Sequence, residues 1–448
     1  MIALGKMHYA TSGGPYSSGS ASTGLPATRR RTQLEDYLIY AGVFLAPFLN
    51  LQTSLMFFTL SDALISLALG VMILRGRLPR NPFGSLLVFW ITAFLLVTGG
   101  LFLSSVMAGQ IVRGVVLCLQ YFFCFIILPY VLLSKDEAMT IRLLIIFIFG
   151  VVAVDLHGIY TFYTIGYVPG SRVVTGGERL ATLIGNANGA GTLNAMMIIA
   201  VIWLRLHKHL SLLVATFLLA VMGWVVILTS SNTALLATII GLAVFVLWTL
   251  RPKMIVGVAI MAAISMVFLQ FGGIDYLPST FQKRVVKAVE AGDISEAGTF
   301  ADRADLMIEA LDMVNGKEFD LTGIGADRFR VVSVQGVPVH NAFLILWVEG
   351  GILSLLGWTL FSAMGLILWL QALNQRVATD GSAAVIAVFA SFIILANASP
   401  HIYARPWHMA LLLVMGPTIL QMARPRPRAA PLMRRPSQPQ DVVAYPLA

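Results

Sequence analysis

His340 and Asn341 stand where a polar stretch that begins at Leu321 meets an apolar run that begins at Ala342. An imidazole ordinarily titrates near ~6.5, so His340 could take a proton from a hydroxyl at neutral pH. Taken alone, a hydrogen-bonded interfacial histidine is the plainer reading. A second ionisable pair, Asp155 and His157, lies inside an apolar run, where charge is costly and tends to be functional. His401 and His408 flank the start of the last apolar run and are expected at a membrane surface.

Arg172, Arg179 and Arg303 lie on polar segments between apolar runs. A guanidinium offers forked donors that match phosphate oxygens, so these residues could hold a phosphorylated substrate. Each by itself also reads as a solvated loop charge or a headgroup contact. Gly323-Ile324-Gly325 could form a backbone nest for an anion, or only a turn. Glu349, nine residues past His340, falls inside an apolar run, where an unpaired carboxylate is costly. It is expected to pair with an arginine or to orient His340.

Certain motifs are missing. No Asp-x-Asp occurs, and the first connecting turn, Asn50-Leu51-Gln52-Thr53, has no carboxylate, so the usual hard-metal ligand set for sugar transfer is absent from the sequence. No Gly-Lys-Ser/Thr phosphate loop occurs either. The expected chemistry uses no metal, no cofactor and no ATP. Cys118 and Cys124, six apart in one apolar segment, make neither a disulfide framework nor a zinc site.

The elements that must position these residues are membrane helices. Of 448 residues, 58% are hydrophobic and only 11% charged, against about 25% charged in soluble domains. Apolar runs that approach the ~20 residues needed to cross a bilayer lie at 37–49, 55–74, 85–107, 111–133, 141–164, 187–204, 210–228, 234–250, 254–271, 342–370, 383–395 and 407–422. The expected fold is an all-α polytopic membrane protein with about 12 transmembrane helices and one long periplasmic loop containing short amphipathic helices.

The expected organisation is a disordered cytoplasmic tail at 1–36, nine spans over 37–271, the long loop at 272–341, three spans over 342–422 and a basic cytoplasmic tail at 423–448. With both termini inside, every cytoplasmic connection carries Lys or Arg, while the turns at 50–53 and 229–233 carry none, as the positive-inside rule requires. Topology therefore accounts for the formal charge of +9, and nucleic-acid binding is unnecessary. Within the long loop, Thr299 to Asp302 resembles a capping box, and Leu306, Met307, Ala310, Leu311 and Val314 recur at helical spacing until Asn315-Gly316. Such a helix would carry Arg303 in its first turn. Gln282 to Ala291 is a second, basic candidate that could lie along the outer leaflet.

Three ordered motifs carry a family resemblance. Arg179 is followed by Gly185-Asn186-Ala187-Asn188-Gly189, and Arg303 opens a helix ahead of Gly323-Ile324-Gly325 and Phe329. Val339-His340-Asn341-Ala342-Phe343-Leu344 then leads into Glu349-Gly350-Gly351-Ile352. Over roughly 179–358 the chain resembles the O-antigen ligase and polymerase superfamily of bacterial membrane glycosyltransferases. The resemblance implies a donor glycan on a polyprenyl diphosphate in the outer leaflet of the inner membrane. His340 matches the general base, with Arg179, Arg303, Arg172, Asn188, Asn341 and Glu349 as substrate-binding residues. Where the family shows Ser-Arg, this chain reads Ser230-Ser231-Asn232-Thr233, so one diphosphate-binding arginine is absent or replaced, with Arg172 the candidate. The family's tryptophan after the loop arginine corresponds to Met307.

The implied reaction is a metal-free, inverting glycosyl transfer. A polymerase of exopolysaccharide or O-antigen repeat units is favoured by the missing Ser-Arg arginine, with a ligase acting on lipid A core as the alternative. Implied partners are the lipid-linked oligosaccharide, a glycan or lipid A core acceptor, membrane lipids, and chain-length regulator and export proteins. A transporter or flippase is the second class, suggested by Asp155, His157 and Arg113, but no internal repeat supports it.

Overall fold

A computed structural model describes residues 33–50, 52, 58–286, 300–315, 321–377, 379–400 and 405–424. Most of both predicted tails, His401 and the loop stretches 287–299 and 316–320 lie outside these residues. The described chain is helical, with two isolated bridges, Gln52 to Thr59 and Val174 to Leu180, and no strand.

In chain order the helices are α1 (Leu34–Leu45), α2 (Leu60–Leu74), α3 (Leu87–Met107) and α4 (Ile111–Phe122). The last continues through a π-helical stretch, Phe123–Ile127, into Leu128–Leu132. Next come α5 (Glu137–Thr164), α6 (Ala187–Leu206), α7 (Leu212–Leu228), α8 (Asn232–Thr249) and α9 (Pro252–Gln270). The loop helix α10 (Phe300–Asn315) precedes α11 (Ala342–Ser362), α12 (Met364–Asn374), α13 (Thr379–Ala396) and α14 (Arg405–Met422).

Helix or a broken helix pair lies on each of the twelve apolar stretches. Among the described residues, six helices are long and apolar enough to cross a membrane, including α3, α5, α6, α8 and α11, and shorter apolar helices accompany them. Side chains start many of them. Asp136, Asn186, Ser211, Ser231 and Asn341 each accept a backbone N–H of the helix they precede, and Thr59 and Asp62 cap α2 reciprocally. Between helices that are apolar all round, small residues allow close approach. A Cβ on Gly357 of α11 would lie 2.6 Å from the Val97 nitrogen of α3, and Ser354 Oγ donates to the Val97 carbonyl at 3.0 Å.

Several sequence expectations are corrected. The first helix begins at Leu34, inside the predicted 1–36 tail, because buried Glu35 accepts from Arg75 at 2.7 Å and Arg77 at 2.9 Å. His408 is not at a surface: α14 is buried nearly all round, and the imidazole stacks on Phe361 at 5.4 Å. The suggested transport residues have separate surroundings. Buried Asp155 accepts from Asn194 at 3.2 Å, His157 is exposed, and Arg113 reaches Asp327 at 2.6 Å.

The loop helix forms as its spacing predicts. Leu306, Ala310 and Val314 of α10 join the main core, while Asp305 and Asp312 face outward. The other loop candidate has a π-helical stretch, Gln282–Val286, before it leaves the described residues.

Candidate functional site

Arg179 sits on a short hairpin-like turn between α5 and α6. Its backbone carbonyl accepts from Thr175 N at 2.9 Å, and the following Leu180 N donates to the Leu228 carbonyl at the end of α7 at 3.0 Å. The guanidinium is anchored on one side: Nε donates to the Thr229 carbonyl at 2.9 Å and Nη2 to Asn188 Oδ1 at 2.8 Å. Asn188 Oδ1 also accepts from Ser231 Oγ at 2.8 Å, and Ser231 Oγ in turn accepts from Ala234 N as the cap of α8. The turn between α7 and α8 thus supplies the seat for Arg179, which neither an apolar profile nor residue type alone reveals.

Two further arginines share this neighbourhood. Arg179 is lowered to about 10, first by burial and then by the charges of Arg284 and Arg303. Arg303 is lowered by burial and then by Arg284. Among the described residues, no carboxylate contributes to either shift. Three guanidinium groups within electrostatic reach of one another, with no acid acting on Arg179 or Arg303 among the described residues, form a ready site for an anion, whose binding would relieve both burial and mutual repulsion.

Arg284 is the residue that sequence reasoning missed as a site group, because its segment read only as a basic amphipathic helix. Its carbonyl lies 3.5 Å from Asn232 Nδ2, beside the position where the resemblance expects an arginine. Arg172, the predicted replacement, is exposed, and its side-chain carbons run past Gly185. The signal available in the sequence was the basic run Gln282-Lys283-Arg284 combined with the loss of arginine at Asn232.

His340 precedes the N-cap of α11. Asn341 Oδ1 accepts from Phe343 N at 3.0 Å and Leu344 N at 3.1 Å, and its Nδ2 donates to Asn397 at the end of α13 at 3.1 Å. Asn341 therefore fixes the backbone that carries His340. The loop before it is tied to α10, the helix of Arg303, by Val334 N donating to Glu309 Oε1 at 2.8 Å.

Glu349 has a different partner set from the one its sequence position suggested. Its carboxylate accepts backbone N–H groups, from Asp327 at 2.8 Å and Phe329 at 3.1 Å. Its carbonyl accepts from Ser104 Oγ at 2.6 Å and Gly325 N at 3.1 Å, while Ile324 N donates to the Val348 carbonyl at 2.8 Å. The Gly323-Ile324-Gly325 turn therefore spends N–H groups on α11 instead of forming an open anion nest. The clamp needs a helix break. Gly351 adopts φ 69°, ψ −172° inside α11, and a Cβ there would strike the backbone of Leu321 and Thr322.

Residues 215–359 match the family model described as O-antigen ligase. Among curated proteins, none matches the chain. The O-antigen ligase match runs from α7 into α11 and takes in Ser231, Asn232, Arg284, Arg303, His340, Asn341 and Glu349, whereas Arg172, Arg179 and Asn188 lie before it. The six helices long enough to cross a membrane and the shorter apolar helices beside them indicate a multi-pass membrane protein.

Proposed function

We propose that this protein transfers a glycan from a polyprenyl diphosphate to an acceptor hydroxyl at the periplasmic face, and that it polymerises exopolysaccharide or O-antigen repeat units. The cluster of Arg179, Arg284 and Arg303 carries the reading, because a diphosphate is the part of such a donor that needs cations most. The O-antigen ligase match supports the reaction class.

In this reading the acceptor oxygen forms a bond to the anomeric carbon as the bond from that carbon to the diphosphate oxygen breaks. The bonding pair leaves with the lipid diphosphate, and the arginines stabilise the charge that develops there. The hydroxyl proton passes to His340, the general base, and attack opposite the leaving group inverts the anomeric centre. A positioned base typically contributes about 10²- to 10⁴-fold. A twelve-span topology with both termini cytoplasmic, supported by the distribution of Lys and Arg along the sequence, would put the long loop, Arg179 and His340 on the periplasmic side. A ligase delivering glycan to lipid A core is the second reading, favoured by the description of the matching family.

The test is a deletion strain complemented with wild type, His340→Ala or Arg303→Ala, with polymer, surface lipopolysaccharide and lipid-linked repeats separated. Accumulated single repeats without long polymer support the polymerase. Long lipid-linked chains that fail to reach lipid A make the protein a ligase. Normal output from both variants rejects the His340 mechanism.

A further inference from the structure

A second group of guanidinium side chains is built from other elements: the corner between α3 and α4, and the turn clamped on α11. Asp327 Oδ2 receives Arg113 at 2.6 Å and Arg330 at 3.0 Å. Arg328, next in the chain, has Nη1 3.5 Å from the Ile324 carbonyl. Arg113 and Arg330 share the Asp327 carboxylate, and with Arg328 beside them the three guanidinium groups outnumber Asp327 and the neighbouring Glu349, so the group keeps a net positive charge. Arg113 Nε has no hydrogen-bond partner among the described residues, and the side chains of Arg113 and Arg330 are 30% and 55% exposed.

The group is preorganised from below. Glu349 accepts from Asp327 N and Phe329 N, and Ala326 N donates to buried Ser105 Oγ of α3 at 3.1 Å. Asp327 is held at φ 57°, and Phe329 is fully buried. The backbone that presents Asp327, Arg328 and Arg330 is therefore fixed to two membrane helices before any ligand arrives.

The surface around the group is apolar. Val112 beside Arg113 is 79% exposed, Val331 beside Arg330 is 74% exposed and Val334 is 93% exposed, with Met107 and Ile111 of the same helix corner also exposed. Valine side chains interleaved with arginines at the end of apolar helices match the border between acyl chains and headgroups. We propose that Arg113, Arg328 and Arg330 bind the phosphate of an acidic membrane phospholipid, with its acyl chains covering Val112, Val331 and Val334. The residual positive charge selects an acidic lipid over a zwitterionic one. The site does not depend on the proposed glycosyl transfer.

The test uses the purified full chain in detergent, titrated with phosphatidylglycerol, phosphatidylcholine or inorganic phosphate and followed by native mass spectrometry. Wild type is expected to retain phosphatidylglycerol, and the Arg113→Gln, Arg330→Gln double variant to lose roughly tenfold in apparent affinity. Equal retention by the double variant overturns the proposal, and inorganic phosphate competing as well as the lipid overturns the lipid assignment. Should the double variant not fold, Arg330→Gln alone carries the comparison, since its side chain is 55% exposed. Independently, a nitroxide on Val331→Cys in phosphatidylglycerol vesicles should be reached by oxygen in preference to a water-soluble nickel complex. The opposite preference would place Val331 in water and reject the site.

Discussion

Arg179 and Asn188 are joined by a 2.8 Å hydrogen bond, and the amide oxygen that accepts it also takes Ser231 Oγ at 2.8 Å. One side-chain oxygen thus ties a loop arginine to the starts of α6 and α8. Among the described residues the guanidinium is held by these side-on contacts, and its remaining donors lie toward an anion site shared with Arg284 and Arg303 in our reading.

Asn188→Ala should leave two donors without their acceptor in a buried place, lowering stability by about 1–3 kcal/mol and reducing glycan output. Asn188→Asp separates fold from function. A carboxylate there keeps the acceptor for Arg179 but offsets the cationic site. Thermal unfolding of Asn188→Asp near the wild-type temperature, with lost donor binding, is the expected pair of results, and retained binding would argue against an anion site.

Arg284 and Arg172 make a contrasting pair. Arg284→Ala removes a charge that acts on both Arg179 and Arg303 and should weaken binding of a diphosphate analogue roughly tenfold, as for a charge-assisted contact. Arg172→Ala removes an exposed side chain and should change binding little. Calorimetry on the two variants decides which arginine belongs to the site.

Glu349→Ala should destabilise the 323–329 turn, because two backbone N–H groups lose their acceptor, at a cost of about 2–4 kcal/mol for the pair. Glu349→Gln keeps one carbonyl oxygen and should be milder. Faster amide exchange at Asp327 and Phe329 in the alanine variant, with a smaller effect in the glutamine variant, is the readout.

The pH dependence of anion binding has a definite sign. Arg179 is lowered to about 10, so the free protein keeps this charge at neutral pH and loses it as pH rises through that value. Below that pH, Arg179 is charged in both folded and unfolded chains, and burying it disfavours folding; the penalty fades as pH rises from about 10 toward the ordinary arginine value. Sulfate, whose charge is constant in this range, should bind with steady affinity from about pH 8 to 9 and more weakly by about pH 11. An Arg179→Lys variant should shift that fall, and a flat profile in wild type would contradict the lowered Arg179 value.

The helical class, the α10 helix and the ordered motifs around Arg179, Arg303 and His340 were legible in the sequence. Apolar length, the spacing of Leu306, Ala310 and Val314, and capping residues such as Asn341 are local signals. Tertiary structure decided the partners. Glu349 looked like a charge seeking an arginine, yet its carboxylate meets N–H groups from a loop some twenty residues back, because the break at Gly351 lets that loop lie against α11. Arg284 read as part of a basic helix, and only the folded chain brings it beside Asn232 and within electrostatic reach of Arg179 and Arg303. Periodicity and composition act over a few residues, whereas the charge and hydrogen-bond partners of a buried group are set by segments that folding alone brings together.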